Sequence, residues 1–543
     1  MAGWVGKLEI LDKVEEEESM GLFSTVRRKS LQLAVGATLS AALLFAASGA
    51  SAAPLSRAPQ DNLFFATSTE PLGLDPHLVD DNDSGNVNVN IYESLLRFKP
   101  GNTDVMPCLA ESWTISDDGL VYTFNLRHNV KFHDGTPFNA EAVRANIERQ
   151  SPQNAVPKMS YAPLVYGDVA KTEVVDDYTI KITLKQPSTP FLRNMAMAFA
   201  APMVSPQALK QYNNDLMEHP VGTGPYKFVT WDRGQQIILT TNEDYWGEKP
   251  AIPNVIYRII KETSARVVAL TNQEVDAING IDANVIPQLK QGNATIYEVG
   301  GNNTNYMLFN CRPGFITADR DVRHAIAQAV NVPELVSSLY MGYADYAKSY
   351  FPPFMNGFDP DLQPIAYDPD AAAKFFKEKG ITKLNILTYS NARAYNPVGG
   401  QVLAEAVQGY LEKVGVKANI VVYDWTTFRG KIPQENWDVS FIGWIGDNGD
   451  PDNFINILAS DDPISNQGLW LNDEFIALID QALRVPDGKE RIAMYQKASR
   501  ILNEDVGVLP LSHAKSLAAY RANISGDFIH PIGLTFFDLA KKK

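Results

Sequence analysis

Three aspartates lie close together in the segment GWIGDNGDPDN at residues 443–453. Asp447, Asp450 and Asp452 are separated by glycine, asparagine and proline, and they follow the β-rich run NWDVSFIGW. Carboxylates on a loop can hold a calcium ion, act as acid or base in an enzyme, or bind a cationic ligand. The three kinds of site need different residues around them.

A calcium site of the EF-hand type does not fit these aspartates. That loop needs oxygen ligands at positions 1, 3 and 5, glycine at 6 and glutamate at 12. Counting from Asp447 puts Gly449 at position 3, and counting from Asp450 puts Ile455 at position 6. The histidines show no H-x-H, H-E-x-x-H or H-x3-H spacing. We therefore expect no metal and no other cofactor.

Motifs for nucleophilic catalysis are also lacking in this sequence. There is no G-x-S-x-G elbow, although a triad assembled from distant residues stays open. The segment VGTGPY at 221–226 lacks the Lys-Ser/Thr of a phosphate loop and precedes a strand pattern. It is interpreted as a turn where backbone approaches closely. We expect a protein that is not an enzyme, with an exported peptide hydrolase as the alternative.

Length and charge limit the classes of protein further. A chain of 543 residues is too long for one core, so two or three structural units are expected. Apolar residues make up 45% and charged residues 20%, which is a globular composition. The net charge of −15 would repel nucleic acid and is compatible with cationic small ligands.

The first 52 residues have the pattern of a leader and signal peptide. Basic residues at 27–29 precede the apolar segment 31–47, and Ala50-Ser51-Ala52 provides the small residues that a signal peptidase cuts. Cleavage is predicted after Ala52, and the protein is expected in the periplasm. An uncleaved anchor helix is the alternative, and either Met1 or Met20 can be the start.

The two cysteines, Cys108 and Cys311, belong to no C-x-x-C pair. Export would expose them to oxidising conditions, so the sequence allows two alternatives, a disulfide between them or two free thiols.

Periodicity predicts strands and helices that differ in arrangement between the two halves of the chain. The first half is rich in strands, and its helix at 139–150 begins with Asn139 as N-cap. In the second half helices are followed by strands, which predicts an α/β lobe with a mainly parallel sheet. Two lobes predict a cleft, where ligands commonly bind. The predicted strands are 62–67, 121–126, 178–184, 236–241, 384–389 and 417–424, and the later helices are 321–341, 369–380 and 399–415.

Several long segments resemble a known protein family. CLAESWTISDDGLVYTFNLRHNVKFHDGTPFNAEAVRANIER at 108–149, HPVGTGPYKFVTWDRG at 219–234, NEDYWGEKP at 242–250 and DVRHAIAQAVN at 321–331 carry the likeness. They resemble the extracytoplasmic solute-binding proteins of family 5, which serve peptide, nickel and glutathione ABC importers. Residues 119–230 look most like the glutathione-binding branch.

The resemblance implies an α/β, two-lobed periplasmic-binding-protein fold of type II, similar to cluster C, with an extra subdomain in the first lobe. By family analogy lobe I covers 53–300, lobe II covers 301–508, and 509–543 return to lobe I. The implied partners are a small peptide ligand and the membrane subunits of an ABC permease, with no nucleic acid. We expect a monomer, and a chemoreceptor partner stays open.

Two further segments resemble the dipeptide-binding members of the family: NARAYNPVGGQVLAE at 391–405 and the aspartate loop. The resemblance implies that Arg393 binds the ligand's α-carboxylate and Asp447 its α-ammonium. It also implies that backbone at Asp80 touches ligand, and Tyr395 and Trp444 are candidates to pack against it.

Physical chemistry agrees with these implied anchors. Burying both charged ends of a peptide is unfavourable unless each end meets a partner, and a guanidinium can hold a carboxylate with two hydrogen bonds. The structural alternatives are a surface salt bridge for Arg393 and a turn role for Asp447. Asp450 and Asp452 are expected to shape the loop, one of them as a helix cap. Glutathione and a nickel or metallophore complex are the alternative ligands.

Overall fold

The computed structural model describes residues 61–390, 392–463 and 465–543. The predicted leader and its cleavage after Ala52 lie outside the described residues.

Six strands were predicted from the sequence, and each begins and ends within one residue of its predicted position. In chain order they are β1 Leu63–Thr67, β2 Leu96–Phe98, β3 Val105–Pro107, β4 Ala110–Ile115, β5 Val121–Leu126, β6 Val169–Asp176, β7 Thr179–Leu184, β8 Tyr226–Asp232, β9 Gln236–Thr241, β10 Asn254–Ile259, β11 Ala277–Asn279, β12 Ala294–Gly300, β13 Asn303–Phe309, β14 Ala344–Tyr346, β15 Lys383–Tyr389, β16 Lys417–Tyr423, β17 Val439–Ile445, β18 Val508–Arg521, β19 Ile524–Ser525 and β20 Lys541–Lys542.

Most helices of the described residues begin at a side chain that caps the first turn, as Asn139 does by accepting from the amide of Ala142. They are α1 Asn82–Ile91, α2 Ala140–Arg149, α3 Ala162–Tyr166, α4 Phe191–Asn194, α5 Pro206–Gln211, α6 Thr263–Thr271, α7 Ile286–Gln291, α8 Arg320–Ala329, α9 Val332–Tyr340, α10 Pro369–Lys379, α11 Gly400–Lys413, α12 Trp425–Lys431, α13 Pro451–Ile455, α14 Asp473–Ala482 and α15 Lys489–Glu504.

The single helix predicted over 321–341 is wrong, because the chain forms α8 and α9 instead. Asn331 caps α9 by accepting from the amide of Glu334. Pro333 cannot donate a helical hydrogen bond, so a new helix starts here.

The central sheet has the strand order β16-β15-β17-β13-β18-β11-β1-β10-β9-β8, and β12 and β14 also pair with β18. β15 pairs in parallel with β16 and β17, but β13 pairs antiparallel with β17 and β18. The prediction of a mainly parallel sheet in the second half is therefore wrong, and the α/β fold class is confirmed. β18 is the strand shared by both halves: residues 508–512 pair with β13 and 515–521 pair with β12.

A separate antiparallel sheet of order β4-β5-β7-β6 lies within residues 110–184. Its buried side chains, such as Phe124 and Ile182, pack with Val143 and Ile147 of α2 in a core of their own. A subdomain of this kind is what the family resemblance implies. The lobe boundaries after residues 300 and 508 stay a prediction.

The VGTGPY segment forms a turn that packs tightly on backbone. A Cβ atom on Gly224 would lie 2.6 Å from the carbonyl carbon of Ile91, and β8 follows directly. The interpretation as a close-approach turn is confirmed.

Candidate functional site

A cavity of about 460 Å³ lies among side chains that are far apart in the sequence. This volume is in the range usual for small-molecule sites, roughly 300–1,000 Å³. The lining comes from two parts of the chain, residues 80–164 and residues 306–467. The lining residues are Asp80, Ser160, Tyr161, Leu164, Tyr306, Leu308, Arg429, Ile442, Gly443, Trp444, Asp447, Ile457, Leu458, Ser465 and Gln467.

Asp447 reaches this cavity from the loop after β17 and is held there by Asn453. The Asp447 amide donates to Oδ1 of Asn453 at 2.9 Å, and Nδ2 of Asn453 donates to Oδ2 of Asp447 at 3.3 Å. Nε1 of Trp444 also donates to Oδ1 of Asn453, at 3.3 Å. One asparagine of α13 therefore positions both Trp444 and Asp447 at the cavity wall.

The tip of the loop is fixed to a distant part of the chain. Nδ2 of Asn448 donates to Oδ1 of Asn194 at 2.7 Å, while its Oδ1 accepts from the amide of Asp450. Gly449 has φ +67°, and a Cβ there would collide with the side chain of Thr103. The loop therefore needs glycine at this position for both backbone conformation and space.

The carboxylate of Asp447 has no cationic partner among the described residues. Desolvation by the surrounding protein raises its pKa to about 6, and the negative charge of Asp80 adds to the rise. Hydrogen bonds from Asn453 and from the Tyr161 hydroxyl oppose it. A carboxylate in this setting is best stabilised by a cation that enters the cavity.

Asp80 also lines the cavity, where Oγ of Ser160 donates to its Oδ2 at 3.0 Å. Both side chains are exposed at this wall. Asp80 and Asp447 together make this part of the cavity negative.

Arg393 lies outside the cavity lining, in a tight turn closed by two backbone hydrogen bonds with Asn396. Its Cζ is 4.2 Å from the ring centroid of Trp425. Nε is buried and has no hydrogen-bond partner in the described part of the chain. Burial and the charge of Asp81 raise the pKa of Asp83 to about 6, and Arg393 is near enough to oppose that rise.

Tyr395 stands behind the lining rather than in it. Its ring packs on Gly443, where an added Cβ would lie 2.5 Å from the ring carbon Cγ. Of the five residues that the sequence indicated, Asp80, Trp444 and Asp447 line the cavity, whereas Arg393 and Tyr395 do not.

Tyr161 and Arg429 line the cavity and were not identified from the sequence. Tyr161 precedes the short helix α3 in a segment without clear periodicity. Arg429 lies four residues after Trp425 in α12, which Asp424 caps after β16. That spacing puts the side chains of Trp425 and Arg429 on one helix face, and this pattern could have identified Arg429 from the sequence.

Asp450 and Asp452 shape the loop instead of facing the cavity. Asp450 is the N-cap of α13, accepting from the Asp452 amide at 2.9 Å, and forms a buried ion pair with Arg491. Burial next to Asp450 raises the pKa of Asp452 to about 7. The predicted division between one cavity residue and two supporting residues agrees with this geometry.

Other features of the described residues bear on the alternatives. They contain no group of three or more His, Cys, Asp or Glu side chains arranged to hold a metal ion. No helix among residues 61–543, as far as these are described, is long and apolar enough to span a bilayer. Cys108 and Cys311 are both free, so the disulfide alternative is not formed.

A family model for the bacterial extracellular solute-binding proteins, family 5, matches residues 104–466. The chain belongs to this family. The dipeptide-binding protein of Escherichia coli (strain K12) is 30% identical over 507 residues, covering 88% of this chain and 94% of that protein.

Solved structures of family members share the fold. DppA from Helicobacter pylori, in complex with the peptide STSA, has a TM-score of 0.77 at 32% identity, covering 89% of this chain and 98% of that chain. The dipeptide-binding protein from Pseudoalteromonas sp. SM9913, in complex with Met-Leu, has a TM-score of 0.78 at 28% identity, covering 89% and 100%. The family and these relatives are binding proteins rather than enzymes.

Proposed function

We propose that this chain is the periplasmic substrate-binding component of an ABC importer for dipeptides and other short peptides. The observation that carries the proposal is Asp447, a desolvated carboxylate without a cationic partner in the described part of the chain, at the wall of a cavity of about 460 Å³. The peptide-binding relatives support the ligand class.

In this proposal Asp447 binds the α-ammonium of the peptide. The ammonium replaces lost solvation with a direct ion pair, and the hydroxyl of Tyr161 and the amide of Asn453 keep the carboxylate aimed. Asp80, which contributes backbone contacts, adds negative charge beside the same group. Both carboxylates favour the amino end of the ligand at this wall.

Arg393 binds the α-carboxylate at the other end. Its guanidinium is stacked on Trp425 and forms no ion pair with the described residues, so its donors are available to an anion. Trp444 packs against the ligand, and Tyr395 supports the wall from behind. Anchors at both ends favour ligands of two or three residues.

Transport requires that ligand binding change the shape of the protein. The proposed lobes, 53–300 with 509–543 and 301–508, close about the ligand, and the closed form then docks on the permease. The closed form must bind peptide better than the open form, since otherwise peptide could not drive closure. The chain acts as an exported monomer after cleavage following Ala52, and catalyses nothing.

A thermal-shift screen with dipeptides tests the site. Arg393→Ala and Asp447→Ala should each lose at least about 2 kcal/mol of binding free energy, the range for removing one partner of a buried charge pair. The controls are Arg144→Ala and Asp480→Ala, which remove exposed charges that do not line the cavity. Wild-type responses in both site variants would disprove the assignment.

Three further measurements separate the alternatives. Calorimetry with Gly-Leu against glutathione distinguishes the two ligand classes. Metal analysis of the purified protein tests a nickel or metallophore ligand. Recovery of intact peptide after prolonged incubation excludes a hydrolase.

A further inference from the structure

A second guanidinium, that of Arg429, lines the same cavity as Asp447. Its side chain is exposed there and makes no ion pair or hydrogen bond with another described side chain. An unneutralised cation in a ligand cavity favours an anionic group on the ligand.

Arg429 and Arg393 share one aromatic neighbour. Cζ of Arg429 is 5.8 Å from the ring centroid of Trp425, and Cζ of Arg393 is 4.2 Å from it. Because both guanidinium carbons are measured from the same ring, the distance between them is at most the total of these two distances, so the two cations lie in the same region. Trp425 begins α12 and Arg429 follows one turn later, so the helix itself sets this arrangement.

Both cations act on the same buried tyrosine. Burial raises the pKa of Tyr395 to about 12, and the charges of Arg393 and Arg429 both oppose that rise. Tyr395 packs on Gly443, which lines the cavity next to Trp444. The region around Tyr395 is thus positive, and Asp80 and Asp447 bring negative charge to the same cavity.

We propose that Arg429 is a second anion anchor and that the site prefers peptides whose C-terminal residue has a carboxylate side chain. This inference rests on the proposed function, because Arg393 is taken to hold the α-carboxylate. The second carboxylate belongs to the same residue, since Arg429 shares Trp425 with Arg393. An acidic N-terminal residue would instead approach Asp80 and Asp447 and be repelled.

Calorimetry with Ala-Glu and its uncharged counterpart Ala-Gln tests this preference at pH 7.5. Wild type should bind Ala-Glu about three- to tenfold more tightly, the range for a charge-assisted hydrogen bond that is partly open to solvent. Arg429→Gln should reduce the ratio to about one. Lys431→Gln in the same helix should retain it, because Lys431 pairs with Glu435 and is not part of the lining.

The reversed peptides Glu-Ala and Gln-Ala provide a control for position. Wild type should bind Glu-Ala no better than Gln-Ala. Equal affinity of wild type for Ala-Glu and Ala-Gln, or an unchanged ratio in Arg429→Gln, would overturn the inference while leaving peptide binding intact. Failure of wild type to bind any of the four peptides would instead refute the proposed function, and the inference with it.

Discussion

The carboxylate of Asp450 and the guanidinium of Arg491 form a bidentate ion pair, with N–O distances of 2.7 and 2.9 Å. The two side chains are only 1% and 2% exposed. Asp450 also caps α13, the helix that contains Asn453, and Asn453 holds Asp447. The ion pair therefore fixes the position of the proposed ammonium site without facing the cavity.

Arg491→Met should lower the free energy of unfolding by up to about 3–5 kcal/mol, because it removes the bidentate partner of a buried carboxylate. Asp450 would keep only the longer contact with Nε of Arg193, at 3.9 Å. Chemical denaturation measures this loss. Arg144→Met, which removes a guanidinium that is 39% exposed and paired with two glutamates, should cost less than about 1 kcal/mol. Similar losses in the two variants would contradict the structural role of the buried pair.

Peptide affinity should fall as the pH drops below about 6, because protonated Asp447 cannot pair with an ammonium. Titration calorimetry between pH 5 and pH 8 would follow this loss. Asp447→Asn should bind weakly at every pH in the range. A wild-type affinity that stays constant down to pH 5 would contradict the proposed role of Asp447.

The same carboxylate should reduce the stability of the ligand-free protein at neutral pH. Its pKa in the fold, about 6, exceeds the ordinary value of 3.8, so the folded form binds the proton more tightly than the unfolded chain. The resulting loss in the free energy of unfolding is fully present above pH 6, and it disappears as the pH falls towards 4. Asp447→Asn should therefore raise the free energy of unfolding by about 1–2 kcal/mol at pH 7 and leave it unchanged near pH 4.

The hydrogen bond between Asn448 and Asn194 joins the aspartate loop to a segment 254 residues earlier. In a protein that closes on its ligand, a bond of this kind stabilises the closed form. Asn448→Ala should speed peptide release about three- to tenfold, as expected for one hydrogen bond. Stopped-flow release is the measurement, and Asn125→Ala, which loses a bond to Ser112 within one sheet, is the control. An unchanged release rate would argue against a closing role.

The two thiols should be unreactive in the folded protein and fully reactive after denaturation. Burial raises the pKa of Cys108 well above its ordinary value and that of Cys311 to about 11, so little thiolate forms. Sγ of Cys108 lies 3.7 Å from Glu93, while Sγ of Cys311 lies 3.8 Å from the carbonyl of Thr317. Intact-mass measurement after maleimide labelling should find both thiols labelled only after denaturation. An unlabelled mass that is two hydrogens lower than expected would indicate a disulfide and contradict the prediction.

Features set by neighbouring residues were predictable from the sequence. Asn139 caps α2 as expected, and Asp450 caps α13 because aspartate precedes proline at the helix start. The apolar pattern at 321–341 favoured one long helix, whereas Asn331 and Pro333 carried the stronger local signal of a new start.

Features that depend on distant pairing were not predictable in this way. Helix-strand alternation indicated parallel strands, but β13 lies between β17 and β18 and is antiparallel to both. Arg429 reaches the cavity only because α12 packs beside β15 and β16. Asp447 was identified through the family resemblance, and its position in the glycine-containing loop after β17 brings it to the cavity.

The shared strand β18 also determines when the fold can form. It comes from residues 508–521 of a 543-residue chain, yet it lies between β13 and β11 in the middle of the sheet. During synthesis the sheet lacks this central strand until residues 508–521 have left the ribosome, so neither half can be completed before then. Under the proposed export, the late synthesis of this central strand would keep the nascent chain unfolded while it crosses the membrane.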